Sequence, residues 1–222
     1  MNIINLAKHF LYLYKESKIK KSLGHCGIDC NILPPILLGK PQNVFIEDYT
    51  LIQPNCQFII VTGKFILKKW SSLSCGCTVI TGNHKPTVGI NQRLIGRLHI
   101  NDREQDIIVE EDCWIGANVT LLSGALIRRG AVVGTGALIN KEIPPYAVVV
   151  GIPARIIGVK FSKEQILQHE KNLYPEKLRM KEDELNILFE QHYKNAKVLG
   201  TDYISNEDLE KCKKFSYMQY QL

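Results

Sequence analysis

His84 follows Thr-Gly-Asn in the run VITGNHKPTVGINQRLIGRLHINDREQD, residues 79–106. An imidazole has an unperturbed pKa of about 6.5, so near neutral pH it can take a proton from a hydroxyl and give it back later. A single general base carries no spacing signature, so its setting has to speak for it. His99 lies in the same run and is expected at the surface or against an acceptor. Asp106 could orient an imidazole, although ordinary loop solvation is its expected role. The seven cysteines are odd in number, and spacings such as Cys75–Cys77 and Cys26–Cys30 repeat no zinc or disulfide framework. They are expected to be reduced and mostly buried. No nucleophile–base pair demands a covalent intermediate.

What sets His84 apart is the pattern it interrupts. From Val109 the chain reads VEEDCW, IGANVT, LLSGAL, IRRGAV, VGTGAL, INKEIP, and each hexad opens on an aliphatic: Val109, Ile115, Leu121, Ile127, Val133, Ile139. The fifth places hold Cys113, Val119, Ala125, Ala131, Ala137 and Ile143, mostly small residues suited to a tight corner. A helix would repeat near 3.6 residues and a plain strand at 2. A period of six fits a short strand and a bend, three of which close a triangular coil. Stacked coils pair as parallel strands over a continuous aliphatic ladder, so the pattern predicts a mainly β protein, a parallel β-helix.

Upstream the beat is less clean. Ile28, Pro34 and Lys40 read as opening one coil, with Ile32, Leu38 and Val44 in the fifth places. Ile46, Ile52 and Phe58 open the next, with Thr50, Cys56 and Thr62 at corners. A three-residue slip over 64–66 implies a bulge or widened corner before Leu67, Leu73 and Val79, whose corners are Ser71, Cys77 and Asn83. Between Val79 and Val109 about 24 residues, roughly 85–108, must leave the coil and return, and loops of that length in compact domains are usually functional. His84 is thereby placed at the root of an excursion loop.

Other segments frame the repeats. Apolar residues Ile3, Leu6, Ala7, Phe10, Leu13 and Tyr14 have helical spacing, and this helix is expected to cap the open first coil. At the far end PPYAVVVGIPARIIG closes the last coil. Ser162–Gln165 resembles a capping box opening a helix through Leu173, which Pro175 stops. Further helices are expected over 176–195 and near 206–215, in packing or oligomer contacts. The chain thus divides into a helical cap (1–22), a β-helix (23–160) and a helical extension (161–222).

With 45% hydrophobic and 23% charged residues, the 222-residue chain has the composition of a soluble globular protein. Its apolar runs are too short to span a membrane, and residues 1–21 lack signal-peptide features, so a cytoplasmic location is expected. The net charge of +6 is uneven: residues 1–160 carry 18 Lys and Arg against 11 Asp and Glu, and the rest carry 10 against 11. That excess favours an acidic ligand. No basic helix with interleaved aromatics is present, so nucleic acid is not an expected partner.

Together with the hexads, TGNH, DCWIGANVTLLSGA and KEIPPYAVVVGIPARIIG resemble the hexapeptide-repeat acetyltransferases. The likeness is to the galactoside, maltose and xenobiotic acetyltransferase branch and to sugar O-acetyltransferases of polysaccharide synthesis, and it covers about residues 28–173. It implies a left-handed β-helix, which spacing does not show and general crossover chirality would not suggest. It also implies a homotrimer with acetyl-CoA held between neighbouring prisms, no metal, and His84 as the catalytic base.

The resemblance also implies coenzyme contacts. Ala117 in WIGA and Thr135 in VGTGA match residues along the pantetheine arm. Asn140 and Lys141 stand where a Thr-Lys pair often occurs, and Asn140 in place of Thr weakens that one contact. Arg155 in IPAR would approach the phosphates. Trp114 should face outward towards a groove or neighbouring subunit, and Asn83 and Trp114 are candidate acceptor contacts. The acceptor implied is a saccharide or small-molecule hydroxyl. Transfer to an antibiotic or to an amino-sugar nitrogen, and a non-catalytic binding scaffold, stay open. A zinc β-helix enzyme of the carbonic-anhydrase kind needs three converging histidines, and residues 107–160 contain none.

Overall fold

Val109, Ile115, Leu121, Ile127, Val133 and Ile139 are all buried, and each stacks on a residue one coil away. Val109 pairs with Ile127, Ile115 with Val133 and Leu121 with Ile139, the expected three hexads apart. The computed structural model describes residues 3–214. Its strands form three sheets, parallel throughout except for the last strand, and these are the faces of a triangular prism. The first face runs through Val44–Ile46, Phe65–Leu67, Ile107–Val109, Leu126–Ile127 and Glu142–Ile143. The second includes Ser72–Leu73, Trp114–Ile115, Val132–Val133 and Ala147–Val150. The third includes Gln57–Ile59, Thr78–Ile80, Thr120–Leu122 and Leu138–Ile139. Each aliphatic in these ladders contributes about 1.5–3 kcal/mol by burial.

The bends obey a second six-residue rule. Asp112, Asn118, Gly124, Gly130 and Gly136 all have φ between 55° and 78° and occupy the fourth place of successive hexads. Glycine, asparagine and aspartate tolerate this left-handed conformation best, which is why they recur there. Asp29, Tyr49, Asn55, Trp70 and Gly76 continue the series upstream.

That series corrects the first coil. Asp29 is a fourth-place residue, so the coil opens at Cys26, which pairs with Ile46, and continues with Ile32 on Ile52 and Leu38 on Phe58. Ile28, expected to point inward, is exposed, whereas Ile32 and Val44 belong to the core rather than to corners. The extra residues of this coil are taken up by a 3-10 turn, Pro41–Asn43. The sixth downstream hexad is also cut short: Ile143 pairs with Ile127 and points inward instead of filling a corner. The expected widened corner is present, between Ile59 and Phe65.

Helix α1 (Ile3–Ser22) is longer than the expected segment and meets the coil through a different side. Glu16 accepts a hydrogen bond from Ile32 N at 3.2 Å, and Ile19 packs on the core. Leu6, Phe10, Leu13 and Tyr14, expected to cap the coil, are exposed. The last coil ends as Ala147–Val150 turns back into the antiparallel strand Arg155–Val159.

Helix α3 (Lys163–Leu173) has the expected Ser162–Gln165 capping box. The segment after it holds a 3-10 turn, Glu176–Leu178, and a shorter helix than expected, α4 (Glu182–His192), followed by α5 (Asn206–Lys213). Glu170 on α3 is buried and accepts from Tyr146 Oη at 2.7 Å and Arg129 Nη1 at 3.0 Å, fastening the extension to the last coils. No helix among the described residues is long and apolar enough to cross a membrane.

Candidate active site

The excursion leaves after Ile80 and rejoins at Ile107, so it spans 81–106 rather than the expected 85–108. Ile107 and Val109 are fully buried strand residues, and His84 lies inside the loop rather than at its root. Glu104 closes the loop: its Oε2 accepts from Thr81 Oγ1, Thr62 N and Gly63 N, each at 2.8 Å. Partial burial raises the Glu104 carboxyl, but those donors outweigh it and hold the group below the usual carboxylate range. Asp106 Oδ1 accepts from Lys64 N at 2.8 Å. The widened corner of the preceding coil is thus the seat of the loop, its backbone N–H groups receiving two carboxylates. Asp106 anchors the loop and orients no imidazole.

Inside the loop sits a short helix, α2 (Gln92–Leu98), absent from the sequence-based expectation. The Asn91 side chain caps it by accepting from Leu94 N at 3.0 Å, and its one buried side chain is Ile95. His99 terminates α2 in the left-handed conformation, with φ 53°, where glycine is usual. Nine non-glycine residues among those described have positive φ; seven are fourth-place residues of the coil, and His99 and Asn101 are the two that are not. Backbone strain outside the repeat is therefore concentrated beside the candidate base.

This turn delivers Asp102. Its Oδ2 lies 3.0 Å from His84 Nδ1 and 2.8 Å from His99 Nδ1, and the two rings stand 5.6 Å apart. Desolvation raises the Asp102 carboxyl, but hydrogen bonds from His99 and His84 hold it below its ordinary value. An ionised carboxylate only accepts, so both Nδ1 atoms carry hydrogen. The neutral His84 ring then has its lone pair on Nε2. Gly96 of α2 keeps that atom accessible: a Cβ there would lie 3.7 Å from Nε2, and a longer side chain would cover it.

His99 is thus drawn into the cluster rather than left at the surface alone. Asp102 and Gly96 escaped the sequence reading. Their roles depend on a loop fold that brings residue 102 back across eighteen positions, and no spacing rule announces it. Asn83 is exposed on the loop. Trp114 faces outward as expected, 59% exposed, with its Nε1 donating to Ser74 Oγ at 3.2 Å.

The coenzyme candidates lie elsewhere on the prism. Ala117 and Thr135 occupy successive turns of the edge between the second and third faces, and the Ala117 carbonyl accepts from Gly136 N at 2.8 Å. A Cβ on Gly116 would sit 2.6 Å from Thr135 N, so only glycine allows these turns to stack so closely. Asn140 and Lys141 are exposed on the edge between the third and first faces, the edge from which the excursion loop springs. Arg155 is exposed at the start of the antiparallel strand. Within the chain, then, His84 shares an edge with Asn140 and Lys141 but not with Ala117 and Thr135.

No family model matches the chain. A 64-residue stretch is 41% identical to chloramphenicol acetyltransferase of Escherichia coli, covering 29% of this chain and 30% of that protein. A 51-residue stretch is 43% identical to 2,3,4,5-tetrahydropyridine-2,6-dicarboxylate N-acetyltransferase of Staphylococcus aureus, covering 23% of this chain and 21% of that protein. The matches therefore span less than a third of these curated relatives. Among solved structures, a hexapeptide-repeat acetyltransferase from Vibrio cholerae superposes with a TM-score of 0.60 at 23% identity, over 68% of this chain and 82% of that one. It has also been solved with acetyl coenzyme A. A maltose O-acetyltransferase from Clostridium difficile gives a TM-score of 0.60 at 22% identity, over 68% and 77%. The fold is that of the hexapeptide-repeat acetyltransferases, a left-handed parallel β-helix.

Proposed function

We propose that this protein transfers the acetyl group of acetyl-CoA to a hydroxyl of a sugar or polysaccharide precursor, with His84 as general base. The observation that carries the proposal is the His84–Asp102 contact, which fixes the proton on Nδ1 and leaves Nε2 basic beside the opening at Gly96. The thioester is already activated, whereas a protonated sugar hydroxyl is a poor nucleophile. Nε2 takes the hydroxyl proton as the oxygen attacks the thioester carbonyl. Asp102 stays ionised and stabilises the imidazolium that forms. The tetrahedral oxyanion needs a nearby donor, commonly a backbone N–H. As it collapses the C–S bond breaks, and the departing thiolate of CoA recovers the proton from His84. The acetyl group passes directly to the acceptor, with no acyl-enzyme.

Ala117, Thr135, Asn140, Lys141 and Arg155 are assigned to the coenzyme, the small residues along the pantetheine arm and the cations near the phosphates. Placement of Ala117 and Thr135 on a different edge from the loop supports a homotrimer, in which the loop of one subunit faces the groove of the next. Asn83 and Trp114 are assigned to the acceptor. A second acceptor class, an antibiotic, is favoured by the local identity to chloramphenicol acetyltransferase.

Product mass in an acetyl-transfer screen over sugars, amino sugars and antibiotics separates these acceptors, with His84→Ala as control. Loss of about 10²–10⁴ in turnover with CoA affinity retained supports the base assignment. Near-normal turnover in that variant overturns it, and absence of both transfer and CoA binding in the unaltered protein points to a binding scaffold instead.

A further inference from the structure

We propose that His84, His99 and Asp102 form a divalent-metal site of the zinc type, and that a metal held there switches off the base. The metal-site part stands on geometry alone; the inhibition part rests on the function proposed above. One ligand atom from each residue falls in a group whose members all lie within 4.8 Å of one another. Both imidazoles present the same nitrogen, Nδ1, to one carboxylate, at 3.0 and 2.8 Å from Asp102 Oδ2. Zinc bonds of about 2.0–2.2 Å in tetrahedral geometry set ligand atoms roughly 3.3 Å apart; the two nitrogen–oxygen distances need a small spreading, and the two nitrogens already lie within 4.8 Å of each other. Two imidazole nitrogens and one carboxylate suit Zn²⁺, Co²⁺ or Ni²⁺ better than Ca²⁺ or Mg²⁺, which prefer oxygen throughout. Three protein ligands leave the fourth position to water.

The cluster is also built to be entered. His84 and His99 are each nearly half exposed, while Asp102 is 9% exposed and held ionised between them. The strained turn at His99 and Asn101 brings the second imidazole onto the carboxylate, a contact that orienting His84 alone does not require.

The consequence for catalysis follows from tautomer chemistry. Each neutral imidazole carries one proton, which the hydrogen bond to Asp102 keeps on Nδ1. A metal bound at Nδ1 needs that lone pair, so the proton moves to Nε2 with no net release. Nε2 of His84 is the atom that must accept the hydroxyl proton, and with a hydrogen already in place it cannot. Zn²⁺ therefore competes with catalysis without blocking the acceptor opening.

Co²⁺ added to the metal-stripped full-length protein tests the site by its visible spectrum. The expected result is one Co²⁺ per chain with d–d bands and no strong near-ultraviolet thiolate charge transfer, which separates this site from the exposed Cys75. His99→Ala and Asp102→Asn should each weaken Co²⁺ binding at least about tenfold, with folding checked by circular dichroism. Bands that persist in both variants, or that vanish in Cys75→Ser, overturn the site. In the acetyl-transfer assay read by product mass, Zn²⁺ should lower turnover in proportion to occupancy, and chelator should restore it. Turnover unchanged at full occupancy overturns the switch. Absence of transfer in metal-free protein overturns the proposed function, while the cobalt spectrum still decides the site.

Discussion

Asp102 holds His84 by its Nδ1 at 3.0 Å although eighteen residues separate them, and the same oxygen holds His99 at 2.8 Å. Replacing Asp102 with Asn removes the charge that favours the imidazolium and offers an amide N–H where only an acceptor fits. Turnover should fall by roughly 10²–10⁴ with the KM for acetyl-CoA little changed, by analogy with loss of an orienting carboxylate elsewhere. Steady-state kinetics at saturating acceptor checks this. A variant that lost affinity and kept turnover would show Asp102 serving the loop's shape instead.

His99 occupies a helix C-terminal position with φ 53° that glycine adopts without penalty. His99→Gly should therefore raise thermal stability, by up to about 1 kcal/mol, because a left-handed non-glycine residue costs that much or more. It should at the same time lower turnover, since Asp102 loses one of its two imidazole donors and settles less firmly on His84. Thermal denaturation and acetyl transfer measured on one preparation give both signs. Stability gained with turnover intact would reduce His99 to a helix cap.

Gly96 offers a contrast between two substitutions. In a helix interior Gly→Ala gains roughly 0.5–1 kcal/mol, and a Cβ here meets His84 Nε2 at 3.7 Å, an ordinary contact. Gly96→Ala should be stabilised and active. Gly96→Leu should fold equally well but extend its side chain over Nε2, raising the KM for the acceptor or abolishing transfer, while CoA binding measured by calorimetry is unchanged.

The prism was legible because a repeat states its core many times over. Val109, Ile115 and their successors keep strict spacing, and the burial follows it residue by residue. In the first coil, aliphatic positions alone do not fix the phase. Ile28 and Ile32 both look like openers, and the deciding signal was Asp29, one of the Asp, Asn and Gly residues that mark the fourth place. The interruption around His84 was legible as a departure from the beat. Its interior was not, since α2, the His99 turn and the approach of Asp102 arise from single contacts such as Ile95 burial and the Glu104 anchor, which occur once. The apolar face of α1 shows the opposite limit: its spacing specifies a helix, yet Phe10 and Tyr14 are exposed instead of covering the coil.

Asp112 provides a prediction about pH. It is a fourth-place residue whose Oδ2 accepts from Lys160 Nζ at 2.8 Å and His169 Nε2 at 3.0 Å, joining the coil to the strand end and to α3. Burial raises its carboxyl, but His169 and Lys160 outweigh that effect and hold it below its ordinary value of 3.8. A depressed native value means that the unfolded chain protonates first as pH falls. The contribution of Asp112 is therefore fully present above about pH 4–5 and is lost as pH drops through the lower native value. Asn tolerates the left-handed backbone at this position, φ 56°, so Asp112→Asn changes the charge without disturbing the turn. At pH 7 the variant should be less stable by about 1–3 kcal/mol, the worth of hydrogen bonds to a charged group. Below pH 4 the difference from the unaltered protein should shrink, because the native carboxylate is then being neutralised while the amide does not titrate. Denaturant titrations from pH 3 to 7 measure that convergence, and a gap that stays constant across the range would place the stability in the shape of the side chain and not in its charge.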